Sequence, residues 1–247
     1  MPLTTATTDK EEHNIFRRNW IFISGTILFV LVASFFIMAS NQGDSLITIN
    51  GFRSPFWDVF FKVGTQFAEP VAYGAILTAV TAFSYRRGLF VIITGITAGI
   101  FAGSLKVLFS QPRPMRWIFD NLNEVWHSLN LFEENYRNWS EISSFPSGHA
   151  TSAFALYAFI ALTAKRARTR VQIICLFVAT MVAFSRMYLL HHFLRDITAG
   201  ATLGLVLGII IFIVNQRAYP HSSWMDRGWL DYFQKDPPVE DQHLGEE

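Results

Sequence analysis

The chain has 247 residues, of which 51% are hydrophobic, 15% aromatic and only 16% charged. A charged share so far below the ~25% of soluble domains, with the apolar residues gathered into long blocks, excludes an ordinary soluble domain. The net charge of +1, with no basic cluster interleaved with aromatics, excludes a nucleic-acid partner.

Residues 1–19 are polar and end on Arg17, Arg18 and Asn19. Six apolar blocks follow, near 20–40, 69–85, 89–110, 147–164, 170–190 and 194–215, each close to the ~20 residues that cross a bilayer. The first is longer than the apolar core of a signal peptide and no small-residue cleavage site follows it, so it is expected to stay as an anchor. Before the second block, Phe56, Val59, Phe60, Val63 and Phe67 recur at helical spacing while Asp58, Lys62 and Gln66 share another face, which predicts a helix lying in the interface. Pro70 suits the first turn of the span that follows. Residues 111–145 form the one long loop, rich in acids and in Trp117, Trp126 and Trp139, whose rings are expected at headgroup depth. The single cysteine, Cys175, sits inside the fifth block, where it reads as a small buried hydrophobe. After Gln216 the chain turns polar, with aromatics at Trp224 and Trp229 and an acidic end, the pattern of a partly disordered tail.

These elements predict an all-α, polytopic membrane bundle of about six transmembrane helices with an interfacial helix before the second span. Its organisation is a cytoplasmic segment 1–19, a membrane domain 20–215 and a cytoplasmic tail 216–247. With both termini inside, the inner segments carry twelve of the twenty basic residues, as the positive-inside rule requires.

Three segments carry charges, imidazoles and glycine that a lipid-facing helix would not tolerate. They are Lys106 followed by Arg113-Pro114; Pro146-Ser147-Gly148-His149; and Ser185-Arg186 followed by His192 and Asp196. Under the predicted topology all three meet on the outer side. A charge at mid-bilayer costs roughly 2.5–3.5 kcal/mol, so such a cluster marks a polar cavity. Lys106, Arg113 and Arg186 are three cationic donors suited to the oxygens of a phosphoryl group. Ser147 and Gly148 open a helix, where free N–H groups and the dipole favour an anion. His192 and Asp196 are one helical turn apart, so the carboxylate can hold one ring nitrogen and leave the other as a nucleophile. His149 can protonate the departing oxygen. His191 and Arg195 have the same spacing as His192 and Asp196, and the pattern alone does not choose between the two histidines.

The three segments resemble the type 2 phosphatidic acid phosphatase superfamily of membrane lipid phosphatases. Its pattern is Lys, six residues, Arg-Pro; Pro-Ser-Gly-His; and Ser-Arg, five residues, His, three residues, Asp. Every defined position matches, and the likeness covers roughly residues 55–215. The resemblance implies a six-helix bundle and hydrolysis of a lipid phosphomonoester or pyrophosphate without metal or cofactor. It also implies a phosphorylated His192, Asp196 orienting it, His149 as acid and then base, and Lys106, Arg113, Ser147, Gly148 and Arg186 as the phosphate site. The implied partners are membrane lipids and a lipid phosphate, such as undecaprenyl pyrophosphate, phosphatidylglycerophosphate, phosphatidic acid or lipid A. The implied setting is a bacterial inner membrane with the site facing outward. Substrate choice is expected to lie in residues 111–145.

Two glycine ladders lead to this region: Gly95, Gly99 and Gly103 toward Lys106, and Gly200, Gly204 and Gly208 away from Asp196. Both are expected to pack helices closely and to fix those two residues. Three other readings compete. A lipid hydroxyl could replace water as phosphate acceptor; His149, His192 and Asp196 could bind a metal, against which three cations argue; and buried charges also occur in transporters, although here they cluster at one face.

Overall fold

The computed structural model describes residues 5–132, 142–164, 168–218 and 224–233, and every regular element among them is a helix. In chain order these are α1 (Thr5–Ala39), α2 (Asp44–Gly51), α3 (Pro55–Thr65), α4 (Pro70–Thr81), α5 (Tyr85–Phe109), α6 (Pro114–Asn121), α7 (Asn123–Trp126), α8 (Gly148–Thr163), α9 (Arg168–Tyr188), α10 (Leu194–Arg217) and α11 (Leu230–Phe233). The segments Asn19–Ala39, Tyr85–Asn121, Arg168–Tyr188 and Leu194–Arg217 are long and apolar enough to cross a bilayer, and the chain is an integral membrane protein. The helices at the other two predicted spans, α4 and α8, have 12 and 16 residues. At ~1.5 Å per residue they reach about 18 and 24 Å, short of the ~30 Å hydrocarbon core.

The short α8 is the centre of the bundle. Ala150, Ala153, Phe154, Ala155, Leu156, Ala158 and Phe159 are all buried, so the helix is enclosed on every side, and a helix apolar all round belongs inside. Its small residues face the second glycine ladder. A Cβ on Gly200 would stand 2.7 Å from Ser147 O, one on Gly204 2.5 Å from Thr151 O, and one on Gly208 2.6 Å from Ala158 Cβ. Only glycine allows α10 this close to α8. The first ladder does not do the same. Gly95 abuts Tyr73, but Gly99 and Gly103 face open space, so the expectation of tight packing along α5 is corrected. The spacing is equal in both helices; what differs is that nothing among the described residues lies within 4 Å of a Cβ on Gly99 or Gly103.

Helix α3 begins as sequence chemistry dictates, with Ser54 Oγ accepting from Trp57 N and Pro55 in the first turn. Phe56, Val59 and Val63 are exposed, while Phe61 packs on Phe184 and Tyr188 with ring centroids 5.4 and 4.5 Å away. Asp58 is tied down, bound by Arg53 at 2.7 Å and accepting from Tyr188 Oη at 2.7 Å. The Arg53 guanidinium holds the Asp58 carboxyl below its ordinary range.

Residues 111–132 are more ordered than a plain loop. Met115 and Ile118 in α6 share a buried cluster with Leu46, Leu190 and Phe193, with Trp117, Leu122 and Trp126 packed around it. Trp117 meets Phe193 edge-on at 5.6 Å, which seats α6 over the turn that carries His192. Trp139 lies outside the described residues. Beyond α10, residues 224–233 dock on the α4–α5 turn: Tyr85 N donates to Arg227 O at 2.9 Å, and buried Arg86 pairs with Asp226 at 2.8 Å. Cys175 is buried, as expected.

Candidate active site

The three motifs converge at one end of the bundle, and the doublet Ser143-Ser144 joins them. Ser144 N donates to Gln111 O at 3.0 Å, and Arg113 Nη2 donates to Ser143 Oγ at 3.4 Å, which binds the end of the first motif to the start of the second. Ser144 Oγ donates to Asp196 Oδ2 at 2.5 Å, and Ser147 N donates to Asp196 O at 3.0 Å, which binds the second to the third. This doublet has no signature in the sequence, because a pair of serines before Phe-Pro carries no spacing signal of its own.

His192 lies in the turn between α9 and α10 rather than on a helix. Its N–H and that of His191 both donate to Arg186 O, at 3.1 and 2.9 Å. Leu190 turns the chain at φ 59°, a left-handed conformation that costs about 1–2 kcal/mol for a residue with a side chain. Burial of Leu190 in the cluster beneath α6 holds it there. After this reversal His192 Nδ1 lies 3.6 Å from Asp196 Oδ2. Asp196 is the third residue of α10 and also caps it, accepting from Phe193 N at 2.9 Å. The carboxylate is fully buried at the positive end of a long helix dipole, with two donors on one oxygen. It is therefore the ring of His192, and not that of His191, that meets an acid. Arg195, which the spacing pairs with His191, turns instead to Gln111 Oε1 at 3.3 Å and to Asp196 Oδ1 at 3.6 Å. Burial first, and then the cations Arg186 and Lys106, push the His192 ring down to about 4 against the pull of Asp196. Burial and Arg186 push His191 down to about 2.

Cations surround this imidazole. Arg186 is buried and held by a bond from Nη1 to Thr65 Oγ1 at 2.9 Å. Lys106 Nζ lies 3.8 Å from where a Cβ on Gly148 would stand, so the first motif reaches the start of α8. Ser147 is wholly buried and its Oγ caps α8, accepting from Ala150 N at 3.4 Å. Its own N–H is engaged by Asp196, so the N–H groups of Gly148 and His149 are the ones at this helix start without an acceptor among the described residues. Two unengaged N–H groups at the start of a 16-residue helix form an anion site. His149 is partly exposed beside them, and its Nε2 lies 3.6 Å from Glu69 Oε1, a contact the sequence did not suggest. From His149 an apolar groove of about 590 Å³ runs between α4 and α5, lined by Pro70, Tyr73, Leu77, Val91 and Ile96. Among the described residues no group of three or more His, Cys, Asp and Glu side chains is arranged to hold a metal.

The chain has relatives among known proteins. The chain is 25% identical over 186 residues to lipid A 1-phosphatase of Rhizobium johnstonii, covering 73% of this chain and 71% of that protein. It is 26% identical over 172 residues to lipid A 4'-phosphatase of Bacteroides thetaiotaomicron, covering 68% and 74%. The fold matches the crystal structure of a transmembrane PAP2 type phosphatidylglycerolphosphate phosphatase from Bacillus subtilis, with a TM-score of 0.56 and 23% identity over 81% of this chain and 98% of that one. The model of the PAP2 superfamily matches residues 87–220, more than half of the chain and all of the motif region. The chain therefore belongs to the PAP2 superfamily and is a phosphatase of that family.

Proposed function

We propose that the protein removes a phosphate from a membrane lipid through a phosphohistidine on His192. The observation that carries this reading is the His192–Asp196 contact at 3.6 Å beside the cations Arg186 and Lys106. With Nδ1 turned to the carboxylate, Nε2 keeps its lone pair for phosphorus. Lys106, Arg113 and Arg186 neutralise the phosphoryl oxygens, and the N–H groups of Gly148 and His149 add a dipole aimed at the same charge. Ser147 shapes that helix start. His149 protonates the departing lipid oxygen, then takes a proton from the water that cleaves the phosphohistidine.

The apolar groove ending at His149 supports a lipid over a soluble phosphate ester, since it offers a chain a seat beside the reacting group. The relatives act on lipid A and on phosphatidylglycerolphosphate, and we place the substrate in that class of phosphorylated lipids. In this reading α4 and α8 complete six spans, α3 rests in the interface on its exposed phenylalanine and valines, and the site opens to the outer leaflet of a bacterial inner membrane. Both termini are then cytoplasmic.

Phosphate release by the purified protein from lipid A, phosphatidylglycerophosphate, phosphatidic acid and undecaprenyl pyrophosphate tests the class and the substrate together. At least one lipid is turned over and His192→Ala abolishes release without unfolding the protein. Release that persists in His192→Ala refutes the nucleophile.

A further inference from the structure

Glu69 holds a position that its own helix does not explain. It is the N-cap residue of α4, yet its carboxylate makes no capping bond there, and the residues that cap well are the shorter serine, threonine, aspartate and asparagine. Its arm reaches instead to α8, to within 3.6 Å of His149 Nε2. Two bonds pin the flanks of Glu69 to that helix. Tyr73, one turn further along α4, donates its O–H to Ser152 O at 3.0 Å, and Tyr157 of α8 donates to Phe67 O at 2.9 Å.

His149 Nε2 is shielded from solvent and has no other partner among the described residues. The remaining charged or titratable groups that face the ring are Arg186, Lys106, Arg113 and the imidazoles of His192 and His191. Glu69 thus brings a negative charge to a histidine otherwise ringed by cations.

Building on the phosphatase reading, we propose that Glu69 is a positioning residue for His149: it accepts the Nε2–H bond, fixes the tautomer and leaves Nδ1 to carry the exchanged proton. The site then holds two carboxylate–imidazole pairs, Asp196 with His192 and Glu69 with His149. As the bond from phosphorus to the lipid oxygen breaks and the bond from His192 to phosphorus forms, the proton on His149 Nδ1 passes to the lipid oxygen. As water attacks phosphorus and the bond to His192 breaks, Nδ1 takes the proton back. Glu69 forms and breaks no covalent bond.

The test is steady-state phosphate release from the best lipid of the panel, in detergent micelles. Glu69→Gln lowers kcat about 30-fold, part of the ~10²–10⁴ that general acid–base catalysis supplies. KM stays within about threefold, and the alkaline limb of kcat moves to lower pH because His149 loses its proton sooner. Glu69→Asp, which keeps the charge on a shorter arm, recovers part of the loss. In a His149→Asn background Glu69→Gln costs nothing further, because the two act as a unit. Turnover of Glu69→Gln within twofold of wild type, a loss confined to KM, or a loss that multiplies in full on His149→Asn overturns the inference. Wild-type protein that releases no phosphate from any lipid overturns the proposed function and this inference together; an active wild type beside an unimpaired Glu69→Gln overturns this inference alone.

Discussion

Gly204→Ala is the sharpest probe of how the bundle holds its site. The added Cβ would stand 2.5 Å from Thr151 O and 2.7 Å from Phe154 Cβ, and neither atom is the end of a flexible chain. To reach an ordinary contact of 3.4 Å, α8 must retreat from α10 by about 0.9 Å. Overpacking of this kind costs ~1–3 kcal/mol, offset by up to ~1 kcal/mol of helix propensity gained over glycine. The displaced helix carries His149 and is joined to Asp196 through Ser147, and a shift near 1 Å in a catalytic array can cost about 100-fold in rate. Gly99→Ala is the control, because its Cβ meets nothing within 4 Å and keeps only the propensity gain. Thermal unfolding in detergent, followed by circular dichroism, and phosphate release on the same preparations read both effects. Gly204→Ala melts several degrees lower and loses at least tenfold in kcat/KM, while Gly99→Ala melts at or above wild type. Equal behaviour of the two variants refutes the assignment of the close helix contact to α8 and α10.

Four further outcomes follow from the site. His192 is held at about 4 against an ordinary 6.5, so it stays unprotonated through neutrality and the acid limb of kcat/KM falls below about pH 5; a limb near 6.5 contradicts the burial of the ring. The same depression has a stability sign: the unfolded chain takes up a proton on this ring that the folded chain refuses. Its contribution is therefore intact above pH 6.5 and lost as pH falls toward 4, which unfolding at pH 7 and pH 5 checks. Ser144→Ala removes a donor from buried Asp196, lowering unfolding free energy by ~1.5–3 kcal/mol as for a hydrogen bond to a charged group and reducing kcat/KM; unchanged values in both assays refute its joining role. Activity survives EDTA and is blocked by vanadate, since three cations fill the role of a metal; loss to chelator and recovery with a divalent ion contradict this.

Much of the fold was legible because bilayer length and apolar runs are local properties. The predicted spans at 20–40, 89–110, 170–190 and 194–215 match Asn19–Ala39, α5, α9 and α10 to within a few residues. The motif residues were legible because phosphate chemistry demands cations and imidazoles that lipid-facing helices avoid. The unread parts are those set by distant segments. Ser144 meets Asp196 across 52 residues, Arg186 meets Thr65 across 121, and Glu69 meets His149 between different helices, so no spacing announces them. The ladders in α5 and α10 are identical as patterns, and only the alanine-rich face of α8 opposite α10 separates them. Residues 111–145, rich in acids and tryptophans, read as one long loop, but Met115, Ile118 and Leu122 make one apolar stripe that folds α6 down over the His192 turn.

In the proposed mechanism His192 carries the phosphate. Protein mixed with lipid phosphate labelled with ³²P, quenched within milliseconds and analysed under alkaline conditions, tests it directly. The label is expected to be stable to base and labile to acid, located at residue 192 and absent from His192→Ala. A turning-over enzyme that never takes up label, or label that persists in His192→Ala, contradicts it.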